Sequence, residues 1–336
     1  MASYNGERFL TQQLQSLRDQ CVLPIELVVC DDQSTDETVN VLRKFSSNAP
    51  FEVKIFINEA RLGYRANFMR AASCCRGEYI CFCDQDDVWR PEKLQTLARA
   101  ASNGRSMLLE HAFQLIDDNG GLIAAPTNRS AAGINDVWAT GLGFTQMFHR
   151  SLLHYSKLWD LSVDHQFVDE RMGHDQWIRF LAGVLGETLF IPDILAYYRR
   201  HSTNTMLSLR RGESPSAKDH PLLLWQKLRG SEAKYLQRRW LIIEKLERKF
   251  KAAQARVQII DKISVAGAPG PRLKSQRQYY SEFIGYSKNR LDLYHSKNRM
   301  RKVRQFTLLM MTNQYTCGER RRLMDGLLDL AYGLLY

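Results

Sequence analysis

The chain has 336 residues, 44% of them hydrophobic, enough for a catalytic-sized domain of about 200 residues and a second body beside it. No apolar run approaches the roughly 20 residues of a membrane-spanning helix, and no secretory leader pattern is visible. The net charge of +11 is uneven: residues 1–198 hold 18 Lys+Arg against 25 Asp+Glu (−7), and residues 199–336 hold 29 against 11 (+18), so an anionic partner is expected for the second part. The seven cysteines contain no C-x-x-C pair, which argues against a zinc site and fits free thiols in a reducing cytoplasm.

In chain order, residues 25–30 read as a strand that ends in an acidic turn containing Asp31, Asp32 and Asp36. Ser34 and Glu37 have capping-box spacing ahead of a helix with Val39, Val41, Leu42 and Phe45 on its apolar positions. At least one of the three aspartates is expected to cap or to form the turn. A third strand follows at 53–57, then Gly63 and a helix over 67–75. Residues 79–83 form an apolar run that meets Asp84, Asp86 and Asp87 within four positions, and Trp89 to Leu94, with Pro91, reads as the next helix start. Alternating helices and strands with acids at two strand ends predict an α/β fold, a doubly wound, mostly parallel sheet. Carboxylates two apart at a strand end repel unless a cation neutralises them. Hard oxygen ligands suit Mg²⁺ or Mn²⁺ shared with phosphate, so the pattern reads as a D-x-D metal–diphosphate site.

Six segments, in order, resemble glycosyltransferase family 2: Ser3 to Glu7, Asp31 to Asp36, Leu62 to Phe68, Asp84 to Trp89, Gly173 to Trp177 and Tyr197 to Asn204. Residues 141–150 resemble that family's acceptor-side strand. The Asp-Gln-Asp-Asp form is most similar to its rhamnosyltransferase-like branch, which builds bacterial surface polysaccharides. The resemblance covers residues 1 to about 205 and implies a GT-A fold and an inverting, metal-dependent sugar transferase. The donor would be an NDP-sugar (UDP- or dTDP-linked, dTDP-rhamnose a candidate), and the acceptor a saccharide or lipid-linked saccharide. Carried over by motif, Asp86 is the metal ligand, with Asp84 on the ribose and assisting the metal. Asp87 is an alternative ligand, and His201 completes the metal or diphosphate contact. Tyr4 and Asp32 meet the nucleobase, Arg65 reaches the nucleotide, and Asp175 is the general base. His174, the rival base, and Trp177 are placed at the acceptor. The family's first strand is expected to be missing here, since only Met1 and Ala2 precede Ser3.

The expected organisation is a nucleotide-sugar-binding catalytic domain over 1–207, a linker over 208–221, and a basic helical region over 222–336. Helices are predicted over 222–263, broken near Gly230, and over 276–300 and 320–336. Arg320, Arg321 and Arg322 ahead of Leu323, Leu327 and Leu330 fit an interfacial helix on the inner face of an anionic plasma membrane, while a helical bundle packed on the catalytic domain is the other reading. Interleaved Tyr, Trp and basic residues also admit nucleic acid, the least favoured partner. Two other function classes compete: a non-catalytic adaptor with a degenerate transferase domain, and a nucleotidyltransferase, which would need a Gly-rich phosphate loop that the sequence lacks.

Overall fold

The computed structural model describes residues 1–102, 104–123, 138, 142–167, 169–201, 231–267, 270, 272–311 and 329; for 231–238, 310 and 311 only the backbone is described. The expected linker, the 320–336 helix, the stretch 222–230 and Asn204 lie outside these residues. The chain divides into two compact units. The first comprises Met1–Asp160, Met172–Leu207 and Ala268–Leu273, and the second Leu161–Arg171, Ser208–Gly267 and Lys274–Tyr336.

The first unit begins with β1 (Ala2–Ser3), α1 (Glu7–Arg18), β2 (Glu26–Asp31), α2 (Thr38–Ser46), β3 (Glu52–Ile57) and α3 (Tyr64–Ser73). Strands β1, β2 and β3 form a parallel three-stranded sheet in that order. The first strand, expected to be missing, is formed by β1: Ala2 pairs with Cys30 and Ser3 with Asp31. Strand β2 is buried along its length from Leu27, as a central parallel strand must be. Edge strand β3 is guarded by Lys54, paired to Glu26 at 2.9 Å. Helix α1 buries Phe9, Leu10, Leu14 and Leu17 at helical spacing in the core beside Val29, Leu42 and Trp89.

The second sheet is mixed, in the order β4 (Tyr79–Cys81), β7 (Gln146–His149), β6 (Ser106–Ile116), β8 (Glu187–Arg199), β5 (Val88–Trp89). The pair β6–β8 is parallel and the other pairs are antiparallel. Strands β4 and β5 are its two edges, and only the segment Phe82 to Asp87 connects them, so the acidic stretch has little slack. Helices α4 (Lys93–Ala101) and α5 (His174–Leu185) complete the unit.

Several boundaries differ from the sequence reading. Trp89 belongs to β5, where it pairs with Ala196, and the following helix starts at Lys93. The helix predicted over 67–75 starts at Tyr64, directly after Gly63, whose φ of 76° suits glycine alone. The capping box at Ser34 does not form. The Ser34 hydroxyl donates to Asp31 Oδ2 at 2.6 Å, and Asp36 Oδ1 accepts from the Thr38 N–H at 3.0 Å instead. In the second unit α6 (Ser231–Val265) is followed by α7 (Leu273–His295) and α8 (Arg299–Met311), two helices where one was read over 276–300. The break is a cap: Asn298 Oδ1 accepts from the N–H groups of Met300 and Arg301 at 2.9 and 3.2 Å. Among the described residues no helix is long and apolar enough to cross a membrane.

Candidate active site

The acidic segment between β4 and β5 is fixed by four different kinds of contact. Gln85 clamps the main chain of Tyr4: its Oε1 accepts from the Tyr4 N–H at 2.9 Å and its Nε2 donates to the Tyr4 carbonyl at 3.0 Å. This explains Gly6, since a Cβ there would lie 2.3 Å from Gln85 Oε1. Asp86 Oδ2 and His201 Nε2 are 2.8 Å apart, with the imidazole leaning on Phe9 at 4.7 Å. Arg199, only 1% exposed, donates from Nε to the Asp86 carbonyl, from Nη1 to the carbonyls of Asp117 and Asp118, and from Nη2 to Gln12 Oε1. Its own backbone N–H donates to Asp87 Oδ1 at 3.0 Å. One arginine thus ties the carboxyl end of β8 to the acidic segment, α1 and the turn after β6.

The three carboxylates have different environments. Asp84 is half-buried, and burial, then Asp86 and Asp175, push its carboxyl up to about 7. Both neighbours raise it because a like charge disfavours a further ionised carboxylate. Asp87 is fully buried, and burial followed by Asp86 and Asp84 holds its carboxyl well above the usual range. Asp87 Oδ1 accepts from the Arg199 N–H, and Oδ2 is enclosed with no hydrogen-bond partner. Among the described residues no three His, Cys, Asp or Glu side chains are gathered at ligating geometry. The donors that remain nonetheless suit a hard divalent cation. Asp84 and Asp86 crowd like charge that a cation would relieve, His201 stands beside Asp86, and such ions fill their other positions with phosphate and water.

Beneath the acidic segment lies Lys93, fully buried, its Nζ donating to the Phe144 carbonyl at 2.7 Å and lying 3.6 Å from the Trp89 ring centroid. Burial brings its ammonium down to about 8. In sequence it passes for a solvated helix-start cation, so nothing singles it out. Arg199 and Gln85, in contrast, stand inside motifs already noted, and their clamping roles needed the fold to be seen.

On the side expected to meet the nucleotide, the Tyr4 ring carries the Arg61 guanidinium at 3.8 Å. Asp32 is buried and organises the loop before α3: Oδ1 accepts from Asn58 Nδ2 and the Leu62 N–H, Oδ2 from the Gly63 N–H. Asp31 accepts from Ser3 and Ser34 and is a turn-former. Asn5 and Gln33 take left-handed backbone conformations (φ 46° and 64°) in the two turns that flank Tyr4 and Asp32. Arg65 Nε donates to the Tyr64 hydroxyl at 2.9 Å, and Arg65 lies close enough to act on His174 electrostatically.

Asp175 lies in the first turn of α5, where Oδ1 accepts from the Gln176 N–H at 2.8 Å. Its carbonyl accepts from Gln146 Nε2, which also reaches Glu110 Oε1, and Glu110 in turn pairs with buried Arg179. In sequence, the signal for this network is Glu110 directly after the apolar Met107–Leu109 of β6. Two expected acceptor contacts are corrected. His174 is 6% exposed, stacked on Phe68 at 4.0 Å and edge-on to Phe82, with both ring nitrogens unpartnered. Burial, then Arg65, lowers its imidazole to about 3, which makes it a poor base at neutral pH. Trp177 is fully buried and offers no face to an acceptor sugar.

Comparison with known proteins bears on the family and the fold. The family model "Glycosyl transferase family 2" matches residues 1–161. An uncharacterised glycosyltransferase of Nostoc sp. is 27% identical over 212 residues, 62% of this chain and 66% of its own length. The dTDP-rhamnosyl transferase RfbG of Shigella flexneri is 36% identical over 99 residues, 28% of this chain and 34% of its own length. The chain thus spans less than two thirds of these relatives. The crystal structure of S. aureus TarS 1-349 in complex with UDP-GlcNAc superposes with a TM-score of 0.51 at 17% identity, covering 85% of this chain and 88% of that one, which supports the same fold. Residues 1–161 are thus similar to the glycosyltransferase family 2 model, and the fold is of the GT-A type.

Proposed function

We propose that the protein transfers a sugar from a nucleotide-sugar donor to a saccharide or lipid-linked saccharide acceptor, with inversion at the anomeric carbon, in the synthesis of a bacterial surface polysaccharide. The observation that carries this reading is the Asp84 and Asp86 pair between β4 and β5, with His201 Nε2 2.8 Å from Asp86 Oδ2, in a chain whose residues 1–161 match the glycosyltransferase family 2 model. A pair of acids beside an imidazole suits a cation-held diphosphate, and Asp175 at the start of α5 is the separate acid that the displacement requires. Rhamnose is the favoured donor sugar, because the similar RfbG is named a dTDP-rhamnosyl transferase. A lipid-linked acceptor is favoured by another relative from Escherichia coli, WfgD, whose name specifies a diphosphoundecaprenol-linked acceptor. The site of action is then the cytoplasmic face of the membrane.

In this reading Tyr4 and Asp32 frame the nucleobase, Arg65 approaches the nucleotide, and Asp84 contacts the ribose. Asp86, Asp84 and His201 would hold Mg²⁺ or Mn²⁺, which when bound neutralises the leaving diphosphate. Asp175 takes the proton from the acceptor hydroxyl as its oxygen bonds to the anomeric carbon and the diphosphate oxygen departs on the opposite face. Gln85 and Arg199 hold the acidic segment in one geometry so that donor and acceptor meet in line. Incubating the full chain with a panel of NDP-sugars and Mn²⁺, and following release of nucleoside diphosphate with and without saccharide acceptors, tests the proposal. Turnover of one donor supports it. No turnover and no binding of any nucleoside diphosphate would leave the adaptor reading in its place.

A further inference from the structure

Helix α8 has no acidic residue among its 13, and four basic ones: Arg299, Arg301, Lys302 and Arg304. Its inner side is packed: Leu309 is fully buried with Leu293 and Tyr286, and Phe306 and Phe283 lie against them. Its outer side is not. Arg299, Met300, Arg301, Val303, Arg304, Thr307 and Leu308 are all exposed, with Met300 at 78%, Val303 at 44% and Leu308 at 43%. Positions 300, 303, 304, 307 and 308 follow helical spacing and form one stripe. Isolated exposed apolar residues need no explanation, but here three lie on one stripe among three arginines with no compensating acid.

We propose that this face of α8 docks on the anionic headgroups of a lipid bilayer. Arg299, Arg301 and Arg304 would meet lipid phosphates, and Met300, Val303 and Leu308 would enter the headgroup–acyl boundary. Charge complementarity selects an anionic partner, and the apolar side chains select a membrane over a nucleic acid. A nucleic-acid face would offer exposed rings for stacking, whereas the aromatic residue of α8, Phe306, is half-buried in the packed cluster. The surface is built into the described second unit and does not depend on residues 320–336. It stands independently of the transfer chemistry, although it would bring a transferase to a lipid-linked acceptor.

Co-sedimentation of the full chain with vesicles of phosphatidylcholine, with and without phosphatidylglycerol, tests this at low and high salt. The wild type should pellet with the anionic vesicles and lose most, but not all, of that binding at high salt. Arg301→Gln with Arg304→Gln should weaken binding about 25-fold, about fivefold per arginine. Met300→Ser with Leu308→Ser should abolish the salt-resistant remainder. All four positions are exposed, so circular dichroism and the unfolding temperature should match the wild type. Equal pelleting of the wild type with neutral and anionic vesicles overturns the proposal without any variant. So does an arginine variant that binds vesicles as the wild type does, or a wild type that ignores vesicles and binds single-stranded RNA through the same arginines.

Discussion

Lys93→Met isolates the charge buried beneath the acidic segment. Burial lowers the Lys93 ammonium from the ordinary 10.5 to about 8. The folded-state value is depressed, so between pH 8 and 10.5 the unfolded chain binds the extra proton and stability rises with pH. Below pH 8 the cost of holding the charge is fully present. At 1.36 kcal/mol per pH unit, the difference corresponds to about 3 kcal/mol. Methionine matches the stem without the charge, but it leaves the buried Phe144 carbonyl without its Nζ donor, a loss of about 1–3 kcal/mol. At pH 7 these two effects nearly cancel, and the variant should be about as stable as the wild type. The pH dependence does not cancel. Urea unfolding at pH 7 and pH 10 should show the wild type gaining about 2–3 kcal/mol over the variant between the two. A stability difference that stays constant across this range would refute the picture of a charged lysine held at a desolvation cost beneath the site.

Asp175→Asn should cut transfer by about 10²–10⁴-fold while leaving donor affinity unchanged, read from kcat and from direct donor titration; a fall in affinity alone would remove Asp175 from the base position. Gly6→Ala sets a Cβ 2.3 Å from Gln85 Oε1 and should break the clamp on Tyr4, with a stability loss of about 1–3 kcal/mol in urea unfolding and weaker nucleotide binding. The His174 imidazole is held down to about 3, so the unfolded chain binds more protons between pH 3 and 6.5, and the stability of its neutral form is lost as pH falls through that window. His174→Leu should flatten the acid side of the stability curve, by about 3 kcal/mol at pH 4.5.

The acidic strand end was legible because two properties coincide there: an apolar run long enough for a strand, and carboxylates too close together to tolerate without a partner. The same logic found Asp31 and Asp32 but could not divide their work. Only the fold shows that Asp31 closes its own turn while Asp32 holds the Asn58 to Gly63 loop. Trp89 was read as a helix start because the two residues of β5 carry no periodicity, and their pairing partners, Tyr197 and Ala196, lie more than 100 positions away. Arg199 was noted as part of a motif, yet its partners at Gln12, Asp86 and Asp117 are brought to it by three separate elements. His174 was read as the rival base because an imidazole titrates near neutral pH, and Trp177 as a ring to stack on an acceptor sugar. Both start an amphipathic helix whose apolar side needs them more, and they are buried there.

The central claim is that the Asp84–Asp86–His201 corner binds a nucleotide diphosphate together with a divalent cation. Calorimetric titration of UDP and dTDP into the full-length wild type and into Asp86→Asn, each with and without Mn²⁺, tests it most directly. The account predicts that Mn²⁺ strengthens binding of one of the two nucleotides at least tenfold in the wild type and adds nothing in Asp86→Asn, with the fold intact by circular dichroism. Binding of equal strength with and without Mn²⁺ in the wild type, or an undiminished Mn²⁺ effect in Asp86→Asn, would contradict it.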